Sequence, residues 1–286
     1  TILVLARLEE CVDIRHEASG GVSVAALLMA GWIPGLLWAL FCMIVAFVYG
    51  KKHGYVIKRD KLTSSVVLKT IWEAIPSLFL IVIIIGGILS GYFTPTEASG
   101  VAVVYAFILS VFIYKSISLK EIPDILKETA VMTAIVMLII GASSVLSFVL
   151  SFTGLPQAIS KALLGVSSNK IVILLIINVI LLIVGTFMDM APALLIFTPI
   201  FLPVIKSLGM DPIHFGVMMV MNLSIGTITP PVGSVLFVGC SISHLQVEEV
   251  IKKLLPFFGA IILALLLVTF IPQFSLWLPS ILGLLG

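Results

Sequence analysis

Asn222 to Gly233, reading NLSIGTITPPVG, sets two consecutive prolines inside a long apolar run. Pro230 and Pro231 carry no N–H, so a helix passing through them leaves the carbonyls of Gly226 and Thr227 without their usual donors. In hydrocarbon each such orphan costs on the order of several kcal/mol unless something binds it. A break in a helix at membrane depth is therefore expected here. Freed backbone oxygens suit a hard cation such as Na⁺, the arrangement found where unwound helices meet a coupling ion. The alternative is a proline kink satisfied by packing and hydroxyl side chains.

The surrounding composition supports membrane depth. Of 286 residues, 60% are hydrophobic and 10% charged, which excludes a soluble domain and predicts an all-α integral membrane protein with several spanning helices. The net charge of +2 is no sign of nucleic-acid binding, because the basic residues lie between the spans. Three scattered cysteines make neither a disulfide framework nor a CxxC metal site. No HExxH, GxSxG or histidine pair falls in a span, so an enzyme is not expected. The sequence opens on Thr1 without a basic stretch and short apolar core, so insertion is expected to rest on the spans themselves.

Upstream, residues 1–20 are too charged for a bilayer and match nothing that follows. Residues 24–49 form the first expected span, ending in a loop with Lys51, Lys52, Lys58, Arg59 and Lys61 that the positive-inside rule places in the cytoplasm. Residues 62–73 read as a helix along the interface, residues 74–92 and 98–114 as an up-and-down pair, and residues 115–127 as a second interfacial helix. Between the paired spans, Thr94, Pro95 and Glu97 have the spacing of a capping box, which accounts for Glu97 without a bound ion. Residues 130–152 cross again, with small residues at 141–144 that admit a close neighbour.

The apolar runs 171–184 and 193–205 are each short for a crossing and flank the tip Gly185-Thr186-Phe187-Met188-Asp189-Met190-Ala191-Pro192. Together they describe a re-entrant hairpin. Asp189 is the one acid this reading places deep in the membrane, either at work there or as N-cap of the returning half-helix. Residues 212–238 hold the broken helix and residues 254–271 the last span. Counted this way and leaving out residues 1–20, eleven lysines and arginines fall on the cytoplasmic side against three, Lys161, Lys170 and Lys206, on the other. A single crossing at 171–206 would instead put Lys252 and Lys253 outside. His214 and His244 sit at expected span ends near water, without partners at metal-ligand spacing.

With these pieces in place, the chain resembles the large membrane subunit of a tripartite ATP-independent periplasmic (TRAP) transporter. The matching stretches are GWIPGLL from Gly31, GGILSGYFTPTEASGVAVVYA from Gly86, GTFMDMAPALLIFTPIFLPV from Gly185 and GMDPIHFGVMMVMNLSIGTITPPVGSVLFV from Gly209. The resemblance implies an elevator-type permease of the ion-transporter superfamily built from inverted repeats, each with a re-entrant hairpin and a discontinuous helix. It implies a multi-pass protein of the bacterial inner membrane that is coupled to Na⁺. Its expected partners are a small four-helix membrane subunit and a periplasmic substrate-binding protein, which hands over an organic acid such as a dicarboxylate or sialic acid. By position, the Na⁺ ligands would be backbone oxygens of Gly185, Gly226 and Val232 and the oxygen of Thr229. Thr186, Asp189, Thr227, Pro230 and Pro231 would line the substrate site.

Residues 1–20 depart from the family, whose first hairpin and first broken helix are not matched. The chain then divides into that segment, the last helix of the first repeat with its loop at 21–61, scaffold and arm helices of the second repeat at 62–170, and a transport region at 171–286. The competing expectations are a standalone Na⁺/carboxylate symporter of the same superfamily and a structural membrane subunit without transport.

Overall fold

The structure is a computed structural model that describes residues 23–52, 64–167, 169–230, 233–243 and 246–285, and among these every regular element is helical. The charged segment at 1–20, the basic loop beyond Lys52, and His244 lie outside the described residues. Among the described residues, six helices are long and apolar enough to cross a membrane. The described residues fall into two compact units, one within 54–138 and one within 3–53 and 139–286.

In the first unit, α3 (Ser64–Leu89) runs as one helix through Pro76, where an interfacial helix followed by a separate span was expected. The Pro76 carbonyl accepts the Tyr105 hydroxyl at 2.8 Å, which ties this turn to the neighbouring helix α4 (Pro95–Ile108). α4 opens with the expected capping box. The Thr94 N–H donates to Glu97 Oε2 at 2.8 Å, and the Glu97 N–H donates to Thr94 Oγ1 at 3.3 Å. It continues through a π-helical turn (Leu109–Ile113) and stops before Lys115, whose φ of 50° lies in the left-handed region that ends a helix. No separate helix covers 115–127. Instead α5 (Ile122–Thr153) starts at Ile122 and runs on for 32 residues.

In the second unit, α1 (Val24–Ala30) and α2 (Trp32–Lys52) together make the expected first span, with a one-residue break at Gly31. After α6 (Leu155–Val166) come α7 (Lys170–Phe187) and α8 (Met190–Ser207). Both have 18 residues, about 27 Å of helix, where 14 and 13 were expected. The Asn169 side chain caps α7 by accepting the Ile171 N–H at 2.9 Å, and Thr186 keeps its far end helical by donating its hydroxyl to the Ile183 carbonyl at 2.7 Å. α9 (Pro212–Thr227) begins at an Asp211 cap that accepts the Ile213 N–H at 2.7 Å, with Pro212 in the first turn, where its missing N–H is harmless. α10 (Ser234–Ser243) follows the break, and α11 (Val247–Phe270) is followed by a further helix, α12 (Gln273–Ile281), that no periodicity had suggested.

α9 is the axis of this unit, with 12 of its 16 residues buried. One face packs Phe215, Met218, Met219 and Leu223 against Ile173, Ile177 and Leu181 of α7 and Leu194, Phe201 and Val204 of α8. The other packs Ile213, Val217, Met221 and Ile225 against Ala26, Leu27 and Ala30 of α1 and Ile261, Leu265 and Val268 of α11. A helix apolar all round belongs in such a place. His214, expected near water, is instead only 1% exposed.

Candidate functional site

Gly185, two residues from the end of α7, lies directly against Gly226, one residue from the end of α9. A Cβ on Gly226 would come within 2.4 Å of both the Cα and the carbonyl carbon of Gly185, and one on Gly185 within 3.1 Å of the Gly226 Cα. Position 226 admits only glycine at this approach, and at 185 even one methyl group would be tightly pressed. It brings the C-terminal ends of two helices together, each carrying roughly half a negative charge from its last carbonyls. Uncompensated, those two ends repel.

Beyond Gly226 the chain tightens before it leaves the helix. The Gly226 carbonyl, expected to be orphaned by Pro230, accepts the Thr229 N–H at 2.9 Å. A three-residue turn has replaced the four-residue bond that proline forbids. The Thr229 hydroxyl donates to the Ile225 carbonyl at 2.6 Å. Neither bond removes these oxygens as cation ligands, since a carbonyl accepting one bond and a hydroxyl donating one both retain lone pairs. The turn closes at Gly233, whose φ is +35° and where a Cβ would stand 2.9 Å from the Thr229 carbonyl oxygen. Val232 and Pro231 lie outside the described residues.

The tip between α7 and α8 lies beside this turn: the Ser224 hydroxyl of α9, which donates to the Val220 carbonyl at 2.8 Å, stands 3.7 Å from Sδ of Met190, the first residue of α8. Asp189 takes the N-cap position of α8 with extended backbone (φ −66°, ψ 155°), but its side chain makes no capping hydrogen bond and is exposed. Thr186 and Thr227 follow the two glycines in the same way, each returning its hydroxyl to its own helix, at 2.7 Å on Ile183 and 2.8 Å on Ser224. Pro230 is half-buried in the turn. Gly185, Gly226 and Thr229 are thus brought together, with the α8 N-terminus beside them.

One feature has no counterpart in the candidate residues read from sequence. Asn222 donates through Nδ2 to Asn178 Oδ1 at 2.7 Å, joining α9 to α7, and also to the Met218 carbonyl at 2.8 Å. Asn178 donates to the Leu174 carbonyl at 2.7 Å, and its Oδ1 also accepts the Thr269 hydroxyl of α11 at 3.3 Å. All three side chains are at most 3% exposed, and Asn222 Oδ1 has no partner. The available sign was an amide in each apolar helix one or two turns before its glycine.

Among the described residues no three His, Cys, Asp or Glu side chains gather as metal ligands. The groups that could hold an ion at Gly185, Gly226 and Thr229 are backbone and hydroxyl oxygens, hard donors that suit oxygen-liking cations better than soft transition metals.

Residues 14–274 match the family profile described as tripartite ATP-independent periplasmic transporter, DctM component. An uncharacterised protein, YgiK of Salmonella typhimurium, is 49% identical over 264 residues, which are 92% of this chain and 60% of that protein. The sialic acid TRAP transporter large permease protein SiaM of Vibrio cholerae is 39% identical over 91% of this chain and 60% of its own length. The isethionate TRAP transporter permease protein DctMQ of Oleidesulfovibrio alaskensis is 37% identical over 92% of this chain and 41% of its own. The chain thus spans about 60% or less of these relatives.

Proposed function

Because the chain belongs to the DctM-component family of tripartite ATP-independent periplasmic transporters, we propose that it supplies the cation-coupling part of a permease that imports an organic acid across the bacterial inner membrane. The observation that carries this reading is the meeting of two helix C-termini at Gly185 and Gly226. A Na⁺ ion held by the carbonyls of Gly185, Gly226 and Val232 and by Thr229 would relieve the repulsion there. It would also tie the hairpin tip to the broken helix. The N-terminus of α8, which lies beside it where Met190 meets Ser224, favours an anion. Cation and carboxylate then stabilise each other across one tip, which is the physical basis of symport. Thr186, Asp189, Thr227, Pro230 and Pro231 are the residues proposed to face the substrate.

The relatives named for sialic acid and isethionate handle organic anions, which fits such a tip. A small membrane subunit and a periplasmic binding protein complete the proposed assembly. The exposed apolar residues of α5, among them Val131, Met132, Leu138 and Phe148, are suited to lipid or to a membrane partner. The lysine distribution favours a pair α7 and α8 that returns to the side it enters from, as a re-entrant hairpin does, over a single crossing at 171–206.

The test is substrate uptake by proteoliposomes carrying the YgiK relative, in which the matching glycine and threonine positions can be altered. Uptake that needs both an inward Na⁺ gradient and added binding protein supports the proposal. Uptake without the binding protein identifies a standalone symporter, and uptake unaffected by replacing Na⁺ with K⁺ contradicts Na⁺ coupling.

A further inference from the structure

α7 and α9 run parallel, and apart from Asn178 and Asn222 the residues facing each other below the glycine contact are apolar: Ile, Leu, Val, Met and, toward the start of α9, Phe215. Such surfaces pack acceptably in more than one register, and in a bilayer no hydrophobic force selects among them. A slip of one helical turn, about 5.4 Å, would separate the two amides. It would also bring a residue with a side chain, Asn222 or Pro230, to the place where only Gly226 fits against Gly185. The glycines exclude wrong registers by collision, but collision does not hold the right one together.

We propose that Asn178 and Asn222 are positioning residues: their side-chain hydrogen bond locks the axial register of α7 on α9 and thereby sets the spacing of the oxygens around Gly185 and Gly226. Each amide is pre-aimed by a bond to its own helix, Asn178 to Leu174 and Asn222 to Met218, so the remaining groups are held toward each other. Thr269 fixes the Asn178 oxygen from a third helix. A single buried Asn pair acts in the same way between helices of coiled coils, where it chooses register. The register lock stands on geometry alone, and its consequence for the ion rests on the Na⁺ reading above.

The test measures register and ion response separately. Cysteines replace Thr186 and Thr227, the residues that follow the two glycines, in a background with Cys11, Cys42 and Cys240 changed to alanine. A short bis-maleimide then reports their proximity in native membranes. Asn178→Leu and Asn222→Leu, singly and together, should lower the cross-link yield roughly threefold to twentyfold, the range spanned by side-chain hydrogen bonds between membrane helices. Thr269→Val, which removes only the longer supporting bond to Asn178 Oδ1, should lower it less than either leucine variant. Asn178→Gln, which keeps the amide, should recover part of what Asn178→Leu loses, and this comparison carries the test should the double variant not accumulate. Unchanged cross-linking in the leucine variants, or equal loss with Gln and Leu, overturns the register lock. Without the added cysteines, the leucine variants should need more Na⁺ to reach half of the Na⁺-induced thermal stabilisation. Cross-linking that shifts in a protein with no Na⁺ response even when unaltered would preserve the lock and remove the Na⁺ reading.

Discussion

Gly226 meets Gly185 so closely that a single methyl group on Gly226 would lie 2.4 Å from the Gly185 backbone, well inside contact distance. The obstacle is backbone on both sides, so no side chain can swing away to make room. Gly226→Ala should therefore lower the thermal stability of the purified protein, by about 1–3 kcal/mol for an overpacked contact, and should also abolish any Na⁺-dependent stabilisation. Gly185→Ala, with its nearest atoms at 3.1 and 3.2 Å, should have the same effects to a smaller degree. Equal tolerance of alanine at both positions, measured by thermal unfolding with and without Na⁺, would contradict the geometry.

Thr229 and Thr94 separate ion binding from helix capping. Thr229→Val keeps the shape and removes the oxygen, so the Na⁺ concentration for half-maximal stabilisation should rise roughly tenfold, equivalent to about 1.4 kcal/mol. Thr94→Val removes the acceptor for the Glu97 N–H and should lower stability by about 1 kcal/mol while leaving the Na⁺ response unchanged. The same shift in Na⁺ response for both variants would mean that the site lies elsewhere.

Much of this arrangement was legible in the residues, and what was not has definite causes. Two prolines after Gly226 announced the break, and α9 does end at Thr227. The fate of the Gly226 carbonyl was not legible, because counting four residues back from proline assumes α-helical partners. The chain tightened and used the Thr229 N–H instead. The capping box at Thr94 was legible because all its partners lie within three residues. The Asn178–Asn222 bond joins residues 44 apart, a separation at which two lone amides in apolar helices carry no mark of facing each other. His214 was misplaced for a similar reason. Its helix ends near an expected boundary, but α11 packs beside it and leaves the ring 1% exposed. Helix ends suffered most, since α7 extends through Gly185 and Thr186, residues that read as a tip.

Topology gives a prediction independent of the ion. Lys52, exposed at the end of α2, belongs to the cytoplasmic set, and Lys206, exposed near the end of α8, to the opposite set. In intact spheroplasts of a cysteine-free background, Lys206→Cys should react with an impermeant thiol reagent. Lys52→Cys should react only after permeabilisation. Labelling of both from outside would remove the re-entrant reading of α7 and α8, because the orientation of every later span is counted from Lys52.

Direct binding of ²²Na⁺ to the purified chain in lipid nanodiscs tests the central claim most closely. The convergence of α7 and α9 predicts saturable binding that unlabelled Na⁺ displaces and equimolar K⁺ does not, and that Gly226→Ala eliminates. Binding that K⁺ displaces equally well, or that survives unchanged in Gly226→Ala, would contradict it.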